Sequence, residues 1–163
     1  MSVADPNSSN PRSRKSKPAR SLRSRALALL ARREYSRLEL ARRLAPFTES
    51  PAEIPELLDD FERQGWLSEA RVVEQILASR RRRFGARRIT HEMREKGISD
   101  AAIGAASEKL KQSEVAAARE VWRRKFKTVP ADARERGRHM RFLQGRGFSH
   151  DVIRRVLSGD DGE

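Results

Sequence analysis

The sequence predicts an all-α protein: three tandem three-helix repeats forming an elongated curved array. Three observations predict it. One phrase occurs three times at a period near fifty residues. Leu44, Met93 and Leu143 lie 49 and 50 residues apart; a serine follows each by six positions (Ser50, Ser99, Ser149) and an isoleucine by ten (Ile54, Ile103, Ile153). Gly97 and Gly147 stand four residues after the second and third anchors, where the first copy has Thr48. A fixed period of this length marks stacked supersecondary units. From Leu22 onward, apolar residues recur three and four apart, the spacing of one helix face. No segment shows sustained alternation enriched in β-branched residues, so no strand is expected.

The elements follow in order. Residues 1–21 hold six serines, three prolines and five basic residues, too little apolar surface to offset ordering entropy, and read as a disordered basic tail. Repeat 1 spans 22–67. Leu22, Ala26, Leu29 and Leu30 share one helix face. Ser36-Arg37-Leu38-Glu39 is a capping box opening a helix with Leu40 and Leu44 inward. Ser50-Pro51-Ala52-Glu53 reads as a second box, before a helix that buries Ile54, Leu57, Leu58 and Phe61 and stops at Gly65. Repeat 2 spans 68–112. Ser68 caps a helix with Val72, Val73, Ile76 and Leu77; Ile89 and Met93 mark the next; Ser99 caps a third with Ile103, Ala106 and Leu110. Repeat 3 spans 113–158. Its stripes are Val115, Ala118, Val121, Trp122 and Phe126, then Met140 and Leu143, then Val152, Ile153, Val156 and Leu157 behind Ser149. Residues 159–163 form an acidic tail.

Charge narrows the function. Thirty-six Lys and Arg against 23 Asp and Glu give +13, which favours an anionic partner. The charge is also segregated: residues 80–94 hold seven arginines and one glutamate, residues 49–69 seven acidic residues and one arginine. A helix C-terminus attracts one or two cations, at a few tenths to ~1 kcal/mol each, not seven. Further basic stretches run from Arg119 to Lys127 and from Arg134 to Arg146. Arginine forks suit phosphates and carboxylates alike, so the pattern says anion without choosing between DNA and protein.

Enzyme chemistry has no foothold. The chain has no cysteine, which argues against a structural zinc site and suits a reducing, cytoplasmic compartment. His91, His139 and His150 lack metal spacing and read as solvated. Gly145-Arg146-Gly147 lacks a third glycine and a preceding strand, and reads as a helix stop. The acids Asp59 and Asp60 read as solvated. Trp66, Trp122, Phe84, Phe126, Phe142 and Phe148 read mainly as core or joint residues, with Phe142 off the inward face of its helix. No catalytic residue, metal, cofactor or small-molecule substrate is expected. No run of 18 apolar residues exists, and no apolar stretch follows the N-terminal basic residues as in a secretory signal.

Four motifs in order resemble the RecX family of bacterial RecA regulators: Arg33-Glu34-Tyr35-Ser36-Arg37-Leu38-Glu39-Leu40; Gly65-Trp66-Leu67-Ser68-Glu69-Ala70-Arg71; Gly85-Ala86-Arg87-Arg88-Ile89 with Glu92-Met93 and Lys96-Gly97-Ile98; and Arg141-Phe142-Leu143-Gln144-Gly145-Arg146-Gly147-Phe148 with Ile153 and Val156. The resemblance covers about residues 22–158. It departs at Trp66, where the family tends to carry tyrosine, and at Val72, where it tends to carry phenylalanine. It implies a curved array bound in the groove of the RecA filament on single-stranded DNA, limiting extension, ATP hydrolysis, strand exchange and co-protease activity, and so bearing on recombination, repair and the SOS response. The expected contact residues are Arg81, Arg82, Arg83, Arg87, Arg88, Arg124, Lys125, Arg141 and Arg146. The alternative is a helical-repeat nucleic-acid-binding protein with no RecA target. The acidic helix at 51–62 could take another basic partner or a second copy of this chain.

Overall fold

Small polar residues at helix starts and glycines after helix ends punctuate this chain. The computed structural model describes residues 20–159; of the expected tails at 1–21 and 159–163, residues 1–19 and 160–163 lie outside the described residues, and Ser21 caps the first helix. Within them the order is α1 (Leu22–Leu30), α2 (Arg37–Leu44), a 3₁₀ turn (Ala45–Phe47), α3 (Glu53–Arg63), α4 (Glu69–Arg80), α5 (Ala86–Glu95), α6 (Asp100–Lys111), α7 (Glu114–Lys125), α8 (Ala133–Gly145) and α9 (His150–Leu157). No strand occurs among the described residues. Ser36, Ser68, Ser99 and Ser149 each accept a backbone N–H of the first turn, and Ser36 with Glu39 completes the capping box. Each such bond satisfies a donor the helix leaves open and contributes about 1 kcal/mol.

The apolar residues form three core clusters. The first joins Ala26, Tyr35, Leu40, Leu44, Ile54, Leu58, Phe61 and Leu67. The second runs from Val72 to Leu110, the third from Ala118 to Leu157. The anchors Leu44, Met93 and Leu143 are wholly buried, and Ile54, Ile103 and Ile153 nearly so. The repeated phrase therefore records a repeated core position.

Three sequence expectations are corrected. Ser50 caps nothing. Its carbonyl accepts Glu53 N–H at 3.1 Å, and α3 begins two residues late, at Glu53. Thr48 does the local work instead: Ser50 N–H donates to its hydroxyl at 3.0 Å, and that hydroxyl faces the Glu53 carboxylate at 3.1 Å. The cause lies four residues past the anchor, where Gly97 and Gly147 take φ of +72° and +85° while Thr48 is extended. Without a left-handed residue the chain leaves α2 through a 3₁₀ turn. Trp66 is not core but 41% exposed, its edge on Phe61 at 5.3 Å. Nor is His139 solvated. It is buried, stacks on Phe126 at 3.7 Å, and its Nδ1 accepts the Trp122 indole N–H at 3.2 Å. Burial, then the adjacent Arg138 charge, lowers its pKa. The unfolded chain therefore takes up a proton first as pH falls through about 6.5, and this ring costs stability on the acid side.

Neighbouring repeats join by one recurring contact. In each joint the residue that opens a middle helix donates to the carbonyl that closes the next repeat's middle helix. At the first joint Ser36 Oγ donates to the Lys96 carbonyl at 2.6 Å. At the second, Gly85 N–H donates to the Arg146 carbonyl at 2.9 Å. Carbonyls of a last turn lack intrahelical partners, so each joint satisfies one. The first joint is also ionic: Lys96 Nζ lies 2.7 Å from Glu39, which Arg33 meets from the other side at 3.2 Å. Burial alone would raise the Glu39 pKa. The hydrogen bonds from Lys96, the Ser36 N–H and Arg33 outweigh it and hold the carboxyl at about 2. A depressed carboxyl stabilises the fold above its unfolded pKa near 4.5 and loses that contribution as pH falls toward 2. Glu39→Gln is expected to cost about 1–2 kcal/mol at pH 7, a figure discounted for partial exposure. In urea titrations, the gap to the wild type should narrow steadily below about pH 4.5.

Candidate functional site

The second joint gathers the basic residues. Gly85 and Gly147 approach so closely that a Cβ on Gly85 would lie 2.3 Å from the Gly147 carbonyl oxygen, and one on Gly147 2.5 Å from Arg88 Cβ. Glu114 of α7 accepts Ala86 N–H at 2.9 Å, tying repeat 3 to the start of α5. Phe84 lies beside this seam, with the Arg88, Arg146 and Arg83 guanidinium groups 4.3, 5.6 and 5.8 Å from its ring. Arg146 also lies 5.3 Å from Phe142, which packs edge-on against Phe126. Contacts of this kind stabilise by about 0.5–1 kcal/mol each at exposed sites, and they hold the cations in place.

Beside the seam a concavity of about 330 Å³ is lined by Arg82, Arg83, Val121, Arg124, Lys125, Phe142 and Arg146. Five of the nine sequence-predicted contact residues thus converge there from the α4–α5 connection, α7 and α8. Among the described residues no carboxylate lines it, and of its five basic residues only Arg124 has an ion-pair partner, Glu120 one turn back. Arg87 and Arg88 line a neighbouring concavity of about 520 Å³ with His91, Gln144 and His150. Arg88 is partly structural, since its guanidinium donates to the Gly145 carbonyl at 3.3 Å.

Two predicted residues stand apart. Arg81 faces Glu74 and Lys109 in a third recess. Arg141 lies back along α8, 3.3 Å from where a Cβ on Gly137 would be. Arg80, at the head of the arginine run, is bound to Glu92 at 3.1 Å. Sequence reasoning missed Glu114, Phe84 as the ring that carries three arginines, and a separate arginine cluster on repeat 1. Asp59 is exposed as expected, whereas Asp60 is half-buried; both are engaged, with Arg37 and Arg23 each at 2.7 Å.

Comparison with known proteins gives this arrangement a family. Residues 68–106 match a family model described as RecX, second three-helix domain, and residues 112–157 one described as RecX, third three-helix domain. The Regulatory protein RecX of Leptothrix cholodnii is 50% identical over 147 residues, covering 90% of this chain and 94% of that protein. The chain belongs to the RecX regulatory protein family. The RecX of Chromobacterium violaceum is 47% identical over 140 residues, 86% of this chain and 91% of that one. A crystal structure of RecX from Lactobacillus salivarius shares the fold, with a TM-score of 0.75 at 17% identity over 86% of this chain and 94% of that one. Helical repeats are therefore the family's architecture and this chain's. No helix among the described residues is long and apolar enough to cross a membrane.

Proposed function

We propose that this protein is a non-enzymatic, cytoplasmic, negative modulator of the RecA recombinase. It binds the RecA filament on single-stranded DNA and limits its extension, ATP hydrolysis, strand exchange and co-protease function. Membership of the RecX family supports the target. The observation that carries the mechanism is the convergence of Arg82, Arg83, Arg124, Lys125 and Arg146 in one carboxylate-free concavity across a rigid joint. Such a surface suits a filament, which offers protein carboxylates and DNA phosphates together.

Arginines poised over Phe84 and Phe142 favour a second reading, nucleic-acid binding with no protein target. Salt separates the two. Bare-DNA binding falls linearly on a log–log plot, with a slope near −0.7 per phosphate neutralised on a single strand. Anisotropy of the labelled protein should show at least about tenfold tighter binding to RecA filaments than to the same bare oligonucleotide at about 200 mM salt. Equal affinities at low and high salt would favour the second reading.

A further inference from the structure

Repeat 1 carries a basic concavity distinct from the one at the second joint. It measures about 750 Å³ and is walled by Arg20, Arg25, Arg32, Arg42, Arg43 and Phe47. The volume falls within the range of sites that house a small-molecule or nucleotide-sized group.

Its charge is uncompensated in a unit that has carboxylates to spare. Three acids of α3 are paired with other arginines: Asp60 meets Arg23 and Arg63, while Asp59 and Glu62 meet Arg37. Among the described residues no carboxylate lines the concavity. Among the described residues, Arg32, Arg42 and Arg43 have no ion-pair or side-chain hydrogen-bond partner. Repeat 1 thus holds one set of arginines paired with carboxylates and, around the concavity, a second set that is not. Like charges gathered without a counter-charge repel, and a bound anion removes that cost.

An aromatic ring is the second, independent observation. Phe47 is 53% exposed, at the end of the 3₁₀ turn that Pro46 stiffens. The Arg25 guanidinium lies 4.0 Å from its centroid, held by an Nε–H bond to the Arg20 carbonyl at 3.1 Å. An acidic peptide would satisfy the arginines but leave the exposed part of this ring, which Arg25 does not cover, in water. A nucleotide satisfies both, since it has a flat face and a phosphate.

We propose that this concavity binds single-stranded nucleic acid, one unstacked base lying on Phe47 and its flanking phosphates held by Arg32, Arg42 and Arg43. The strand must be single because a base within a duplex cannot present its face to a side chain.

The test uses the full-length protein and a fluorescent oligothymidylate of about twelve nucleotides, without RecA. Phe47→Ala should weaken binding roughly five- to a hundredfold, with little change in salt slope. Phe47→Trp should retain it. Arg42→Glu with Arg43→Glu should weaken binding and reduce the salt slope by about 1.4. All three side chains are exposed, so helicity by circular dichroism should match the wild type. The proposal is overturned if the wild type does not bind the oligonucleotide, or if Phe47→Ala binds as tightly as it does. It is equally overturned if polyglutamate or duplex DNA of matched length competes as well as the single strand. The readout lacks RecA, so failure of the filament reading would leave this result standing, and the reverse.

Discussion

Gly147→Val is expected to uncouple the third repeat from the second, at a cost of about 2–5 kcal/mol. Two effects add. Gly147 sits at φ +85°, where an L side chain costs about 1–2 kcal/mol. Its new Cβ would also lie 2.5 Å from Arg88 Cβ and 2.8 Å from the Arg88 backbone nitrogen. A backbone atom cannot step aside as a rotamer can, so relief means parting the seam, at about 1–3 kcal/mol. In a chain whose repeats touch mainly their neighbours, a weakened joint lowers cooperativity as well as the midpoint. Urea unfolding should show a lower midpoint and a shallower slope. Gly104→Ala is the control. It lies in the interior of α6 with nothing within 4 Å of the new Cβ, and should stabilise by about 0.5–1 kcal/mol. If Gly147→Val unfolds like the wild type, the seam is not a closely packed joint.

Reversing Arg82, Arg83 and Lys125 together to glutamate is expected to abolish most filament binding. All three are exposed and none has an ion pair among the described residues, so the fold loses at most the Arg83 contact with the Phe84 ring and helicity should be unchanged. Each reversal replaces an attraction with a repulsion. Three partly screened contacts amount to about 2–4 kcal/mol, roughly thirty- to a thousandfold in Kd. The geometry supplies its own control. Arg81→Glu and Arg141→Glu remove equally basic side chains outside the concavity, and each should weaken binding less than about threefold. A uniform loss across all five positions would mean that bulk charge, not the concavity, recruits the partner.

The fold was legible in the sequence because its determinants are local. Serine caps, the anchor positions and the three-four apolar spacing each act within one or two turns. The period of about fifty residues exposed the repetition even though the first copy has Thr48 where the others have glycine. That missing glycine is also where the sequence misled, since Ser50 read as a cap while the chain leaves α2 by a different route. The site was legible only in kind. The arginine run announced an anion, yet nothing local says that Arg82 and Arg83 meet Arg124, Lys125 and Arg146 across a glycine–glycine seam while Arg81 does not. One residue along a helix turns a side chain by about a hundred degrees, and the register between repeats decides which arginines share a face. His139 misled for a related reason. Its neighbours Arg138 and Arg141 suggest a wet surface, but it falls on the face packed against Trp122 and Phe126.

The most direct measurement is ATP hydrolysis by preformed RecA filaments on single-stranded DNA, with this protein added well below one copy per RecA. A filament grows at few ends, so blocking extension needs few molecules. Hydrolysis should decline progressively at such ratios, and the Arg82, Arg83 and Lys125 reversal should remove the decline. Undiminished hydrolysis even at parity with RecA would contradict the account.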